Sequence, residues 1–188
     1  MASKRMSTDS SNEDKTPAIK DNGMYLFMTD VNDASCMSAI EWIMVENLRK
    51  KRSESLTLYI NSGGGAVDAA FALIDMMKGS SIPVNTVGLG CVASASLSIF
   101  ITGKHRVLTP NTSILAHQFS WWSGGKEHEL MGKIKEFKLT STRIMNHYKK
   151  YTGLTEVEVK EHLLPPTDKW LSAKEALNLG LCDEIKLM

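Results

Sequence analysis

Ser94 lies in Gly90-Cys-Val-Ala-Ser94-Ala-Ser, between an apolar run that reads as a strand and a run of helical character reaching Thr102. A serine at such a turn presents its hydroxyl, and the N–H groups after it converge from the positive end of the helix. That arrangement suits a nucleophile beside an oxyanion hole, the chemistry of acyl transfer. A second turn, Ser62-Gly63-Gly64-Gly65, follows the apolar run Leu56–Asn61, and its glycines leave backbone N–H groups uncovered. Two donor-rich turns of this kind can flank one reacting carbonyl. Each also has a plainer reading, since a glycine triplet makes a tight connection and small residues let a helix pack closely.

An acyl-transfer serine needs a base, and five histidines are on offer. His105, His128, His147 and His162 sit beside charged residues and read as solvated surface positions. His117 ends the apolar run Ser113-Ile-Leu-Ala-His117, where an imidazole is partly desolvated and needs a partner on its second nitrogen. The alternative is a core histidine satisfied by a backbone carbonyl. Asp168 follows two prolines in Leu164-Pro-Pro-Thr-Asp168-Lys-Trp, a stiff approach with Trp170 expected to shield it. The alternative there is an aspartate in an ordinary proline-rich turn. Ser96 and Ser98 are competing hydroxyls, but both fall inside the helix, where they can bond backbone carbonyls instead.

Tyr59-Ile-Asn-Ser-Gly-Gly-Gly65, Gly90-Cys-Val-Ala-Ser94, Leu115-Ala-His117-Gln and Asp168-Lys-Trp-Leu-Ser-Ala-Lys-Glu-Ala occur in this order. In order and spacing they resemble the proteolytic subunit family of the Clp (caseinolytic) protease, from Met24 to Met188. The resemblance implies Ser94 as nucleophile, His117 as general base and then acid, and Asp168 as the group orienting the imidazole. It assigns the oxyanion role to the backbone N–H groups of Gly65 and Ala95. It also implies a crotonase-like α/β spiral of β-β-α units, a protruding handle over about residues 119–151, and two stacked heptameric rings. Polypeptides are the implied substrates, and any ATP use belongs to a partner AAA+ unfoldase. No cofactor and no metal are expected.

Several positions depart from that pattern. Ser96 stands where the family usually has glycine, which is expected to displace the helix slightly from the turn. Phe119, with Trp121 and Trp122 nearby, replaces an expected proline and should alter the strand that aligns substrate. Thr167 stands where many members carry an arginine, so the ion-pair latch between rings is absent. The segment before Met24 lacks the apolar stretch from which the family builds its axial loops.

Composition agrees with one enzyme-sized domain. With 188 residues and 43% hydrophobic content the chain can bury one good core, and residues 24–188 read as a single domain. A formal net charge of +1, with signs interspersed, leaves no electrostatic footprint for nucleic acid or an acidic membrane. Cys36, Cys91 and Cys182 lack metal-ligand spacing and fit small buried hydrophobes in a reducing, cytoplasmic setting. No stretch is long and apolar enough to span a membrane. Residues 1–23 are polar and are expected to form a flexible arm.

The elements that must position these groups follow from periodicity. Met24–Thr29, Leu56–Asn61, Val84–Leu89, Arg106–Leu108 and Ile114–His117 read as strands; Ala34–Arg49, Ala66–Lys78 and Ser94–Thr102 read as helices. Lys50–Glu54 is a charged turn. Alternation of this kind predicts a mostly parallel sheet with covered faces. A long helix over Glu127–Tyr151 carries Leu130, Ile134, Phe137, Ile144, Met145, Tyr148 and Tyr151 mostly at three- and four-residue steps. Projecting past the domain, it would expose that stripe unless another subunit covers it.

Three functions are compatible with these features. The first is a serine endopeptidase that degrades unfolded polypeptides in an oligomeric chamber. The second is a catalytically silent ring subunit that scaffolds or regulates a partner protease. An acyl-CoA enzyme on the same fold would use the two turns for a thioester, but it calls for acidic residues near them rather than Ser94 and His117.

Overall fold

The computed structural model describes residues 19–188. The expected flexible arm falls mainly outside these residues, and Ile19–Asn22 form a single 3-10 turn. The strands are β1 (Met24–Phe27), β2 (Leu56–Ser62), β3 (Val84–Ala93), β4 (Arg106–Leu108), β5 (Ser113–Ala116), β6 (Lys169–Ser172) and β7 (Glu184–Ile185). The helices are α1 (Asp33–Leu48), α2 (Val67–Gly79), α3 (Ala95–Phe100), α4 (Glu127–Thr152), α5 (Glu156–His162) and α6 (Ala173–Asn178). β1, β2, β3, β4 and β7 form a parallel sheet in that order, as strands alternating with helices require.

β3 is the strand that builds the site, because it is long enough to serve two neighbours. Its first half pairs with β4 through Thr86–Gly88, and its second half pairs with β5 through Cys91–Ala93. Between the halves the β2–β3 register slips, from Ile60 opposite Gly88 to Ser62 opposite Val92. The Asn61 side chain fills the gap by accepting the Cys91 N–H at 3.2 Å. β6 then adds antiparallel to β5, with Ala116 opposite Lys169. The ends of β3 and β5 and the start of β6 therefore meet at one corner, carrying Ser94, His117 and Asp168.

α3 leaves that corner straight into the core, and all six of its residues are buried. A helix hidden on every side must be apolar or small all round, which Ala95-Ser-Leu-Ser-Ile-Phe satisfies. Leu97, Ile99 and Phe100 are fully enclosed among Leu58, Ile60 and Leu73. Asn32 starts α1 through a reciprocal cap with Ser35, and α1 turns Cys36, Ala39 and Ile43 inward.

α4 corrects part of the expected stripe. Its second half lies on the chain's own core, with Ile144 and Tyr148 buried and Met145 and Tyr151 packed against it. Phe137 is held within the chain by Phe119 and Trp121, each ring centroid 5.2 Å away. The face left open belongs to the first half, where Met131, Ile134 and Leu139 are 63%, 41% and 59% exposed.

His147 is not a surface residue. It is buried on the same face of α4 as Ile144 and Tyr151, and its Nε2 donates to the Ser98 carbonyl at 2.9 Å. Its charged sequence neighbours Lys149 and Lys150 point elsewhere around the helix, which is why they mislead. His162 is half-buried, and its Nδ1 accepts from Lys169 Nζ at 2.7 Å. His105 and His128 are exposed as expected.

Candidate active site

Ser94 is the one non-glycine residue with positive φ among the described residues, at φ 54° and ψ −124°. A side chain held there costs on the order of 1–3 kcal/mol, a strain that clusters at functional turns. The strain is imposed by a strand that must become a helix within one residue. It is held in place by the Ser94 N–H, which donates to the Leu115 carbonyl at 2.9 Å. Although Ser94 is the N-cap of α3, its side chain makes no capping hydrogen bond. The Oγ is thus left available.

The glycine turn is pressed against this elbow. A Cβ on Gly64 would sit 2.7 Å from Ser94 Cβ and 2.6 Å from the Ala93 carbonyl oxygen, so only glycine fits. Val31 clamps the turn from the other side: its N–H donates to the Gly64 carbonyl and its carbonyl accepts from Ala66, both at 2.8 Å. Those bonds satisfy the groups flanking Gly65. Among the described residues, no hydrogen bond takes up the N–H of Gly65 or of Ala95. Ala95 is the first residue of α3, where an N–H has no intrahelical partner.

His117 follows β5 directly, two residues beyond the carbonyl that anchors Ser94. Its side chain is 28% exposed, and its Nδ1 lies 3.6 Å from Asp168 Oδ1. That separation permits charge attraction but exceeds a hydrogen bond. Asp168 enters opposite His117 because β6 runs antiparallel to β5. Among the described residues no hydrogen bond joins Ser94 to His117. Trp170 does not shield Asp168 as expected: Trp170 is 58% exposed, and the Asp168 side chain is 64% exposed. Among the described residues β6 pairs only with β5, so Trp170 lies on an edge strand and Asp168 immediately precedes it.

Ser96 and Ser98 are excluded as free hydroxyls. Ser96 is fully buried and its Oγ contacts the Ser62 carbonyl at 2.9 Å, the Ala93 carbonyl at 2.7 Å and the Ala93 N–H at 2.9 Å. Ser98 Oγ is buried against Tyr148. The sequence expectation that they bond backbone carbonyls is met by Ser96.

A cavity of about 360 Å³ begins at Gln118, the residue after His117, and is lined in part by Phe119, Phe137, Met145, Lys160 and Leu164. Phe119, which the sequence marked only as a departure, forms part of its wall. A more open depression of about 680 Å³ lies at the opposite end of β3, around Ile82, Val84, Lys104 and Arg106. It is remote from Ser94 and belongs to no part of the corner. No helix among the described residues is long and apolar enough to cross a membrane.

Comparison with known proteins identifies the family. A family model described as Clp protease matches residues 8–187. The chain is 32% identical over 169 residues to ATP-dependent Clp protease proteolytic subunit 1 of Chlamydia muridarum, covering 88% of this chain and 86% of the relative. It is 31% identical over 136 residues to proteolytic subunit 2 of Thermobifida fusca, covering 71% and 66%. A mutant of ClpP1 from Listeria monocytogenes superposes with a TM-score of 0.78 at 27% identity, over 89% of this chain and 93% of that one. The expected α/β fold of this class is present. With a match over nearly its full length, this chain belongs to the Clp protease family.

Proposed function

We propose that the chain is a serine endopeptidase that cleaves unfolded polypeptides inside an oligomeric chamber. The observation that carries the reading is the strained backbone of Ser94, which leaves its Oγ uncapped beside two unbonded N–H groups. In this reading Ser94 Oγ attacks the scissile carbonyl while its proton passes to His117 Nε2. The other ring nitrogen, Nδ1, is the one that faces Asp168. The carbonyl oxygen becomes an oxyanion, met by the N–H groups of Gly65 and Ala95. The C–N bond then breaks and the amine leaves with the proton from His117. Water, deprotonated by His117, splits the acyl-enzyme and restores Ser94. No step calls for a metal or cofactor, and ATP, if used, belongs to a partner AAA+ unfoldase. Neither motif nor charge calls for nucleic acid or membrane, and a cytoplasmic site follows from the same reading.

The chamber is supported by apolar side chains left open on two helices. Met37, Met44, Val45 and Leu48 of α1 and Met131, Ile134 and Leu139 of α4 are each at least two-fifths exposed, more than one chain ordinarily leaves wet. A second reading, a catalytically silent ring subunit, is favoured by one observation: the 3.6 Å gap between His117 and Asp168 leaves the imidazole loosely held.

Labelling with a fluorophosphonate separates the two. The enzyme reading expects one modified residue, Ser94, together with hydrolysis of a fluorogenic peptide that Ser94→Ala reduces on the order of a million-fold. Peptide hydrolysis that survives in Ser94→Ala overturns the assignment. A chain that is neither labelled nor active is the silent subunit.

A further inference from the structure

The two N–H groups assigned to the oxyanion sit on different strands. Gly65 follows β2 and Ala95 follows β3, and the β2–β3 ladder loses its register between Ile60 and Ser62, just before both turns. The ladder resumes only at Ser62 opposite Val92, so a single pair beyond the slip is all that the sheet contributes to the distance between the donors. A further tie matters there, because donors stabilise an oxyanion only when both lie within about 2.7–3.1 Å of where it forms.

Side chains bridge the break. The deeper bridge is Ser96, whose hydroxyl reaches across to the Ser62 carbonyl at 2.9 Å while accepting the Ala93 N–H at 2.9 Å. Its single proton is shared between the Ser62 carbonyl and the Ala93 carbonyl at 2.7 Å. Ser62 continues the chain, since its own Oγ accepts the Gly64 N–H at 3.2 Å. One connected path thus runs from the residue before the nucleophile, through Ser96 and Ser62, to the residue before Gly65. The resemblance leads one to expect glycine at position 96, and glycine has no hydroxyl with which to make this link.

Resting on the reading of Ser94 as nucleophile, we propose that Ser96 is a positioning residue. It ties the Gly64–Gly65 turn to the Ser94–Ala95 elbow and so sets the two oxyanion donors at a working separation. Its hydroxyl never touches substrate. Its effect falls on the transition state, because the oxyanion exists only there, while ground-state binding of the peptide is left alone. Losing one donor outright costs about 100- to 1,000-fold, and a donor displaced rather than lost costs less.

The test compares Ser96→Ala with wild type in the full chain, using a fluorogenic peptide and a peptide boronate that mimics the tetrahedral adduct. Rates are normalised to sites labelled by fluorophosphonate. Expected are a kcat lower by about 10- to 100-fold, KM within about threefold, and boronate affinity falling in parallel with kcat/KM. Affinity for the product peptide should not move. A structural role alone would lower the labelled fraction and leave kcat per labelled site and boronate affinity as they were, which overturns the proposal. Should Ser96→Ala fail to fold, Ser62→Ala, which cuts the same path at Gly64, is measured identically, and wild-type kcat per site there overturns it. A wild-type chain that is not labelled at Ser94 defeats the nucleophile assignment and this inference together. A labelled wild type matched by Ser96→Ala defeats the inference alone.

Discussion

Ser94, Ser96 and Ser98 share one side chain and three environments. Backbone strain and the absence of a cap leave Ser94 Oγ free; three contacts occupy Ser96; Tyr148 occupies Ser98. Cysteine chemistry divides by surroundings in the same way. Burial pushes the Cys182 thiol up to about 11 and raises Cys36 and Cys91 as well, so none is poised as a thiolate near neutral pH. Cys36 and Cys182 are buried while Cys91 is partly open. Titration with a disulfide reagent at pH 7.5 should therefore find Cys91 reacting slowly in the native chain and the other two only after denaturant is added. Fast native reaction of Cys182 would show that its pocket opens. That Ser94, His117 and Asp168 are the candidates to compare follows from residue type, order and the family resemblance, and the structure brings them to one corner. The 3.6 Å gap, the exposure of Asp168 and the Ser96 bridge were not legible in the sequence, since each depends on backbone register between β2, β3, β5 and β6.

At the scale of elements, the strands and helices through α4 lie within a few residues of where periodicity puts them. β3 is the exception, running on to Ala93 because the Asn61–Cys91 contact carries it past the register slip. Beyond Tyr151 the sequence reading assigned no elements, although Thr155-Glu-Val-Glu158 and Ser172-Ala-Lys-Glu175 both spell capping boxes that the structure uses. Those helices span seven and six residues, too short for a periodic signal to accumulate. α4 was found but its faces were misjudged, and His147 shows the cost. Burial holds its pKa below the ordinary value, against the Ser98 hydrogen bond, with Lys78 and Lys150 acting in the same direction as burial and Asp75 opposing them. Because the unfolded chain then binds a proton that the folded chain refuses, stability rises with pH across this window. The stabilising contribution is whole above about pH 6.5, the unfolded histidine value, and is lost as pH falls toward the depressed folded value. Wild type should therefore lose more Tm between pH 7.5 and 5.5 than His147→Gln, which retains a donor for Ser98 but does not titrate. In a chain of this size each kcal/mol moves Tm by about 2–4 °C, so the difference is within reach of calorimetry. Parallel curves for the two proteins would place the pH dependence elsewhere.

For the whole molecule the open question is what covers α4. Its second half belongs to this chain's own core, so the proposed seam between rings narrows to Met131, Ile134 and Leu139, which recur at i, i+3 and i+8 on one face. Full burial of such a side chain is worth about 1.5–3 kcal/mol; these three are 41–63% exposed, so covering each recovers only part of that, which a proposed heptameric ring would repeat in every subunit. Thr167 offers no charge for a latch between rings, so the proposed contact is expected to depend mainly on apolar burial. Screening weakens ion pairs and leaves apolar contacts intact. A double-heptamer mass that persists in about 1 M salt is accordingly expected by light scattering. Ile134→Asp and Leu139→Asp should shift it toward single rings without lowering the Tm of the subunit, because neither side chain packs in its own core. Phe137→Asp is the wrong probe, since Phe119 and Trp121 would lose their partner within the chain. Assembly also bears on the site, because α4 walls the cavity beside His117 through Phe137 and Met145. If closure of the His117–Asp168 gap depends on that wall, peptide hydrolysis and double-ring mass should fall together across the aspartate variants. Full activity in a dispersed single ring would uncouple them, and a double ring unaffected by both substitutions would remove α4 from the interface.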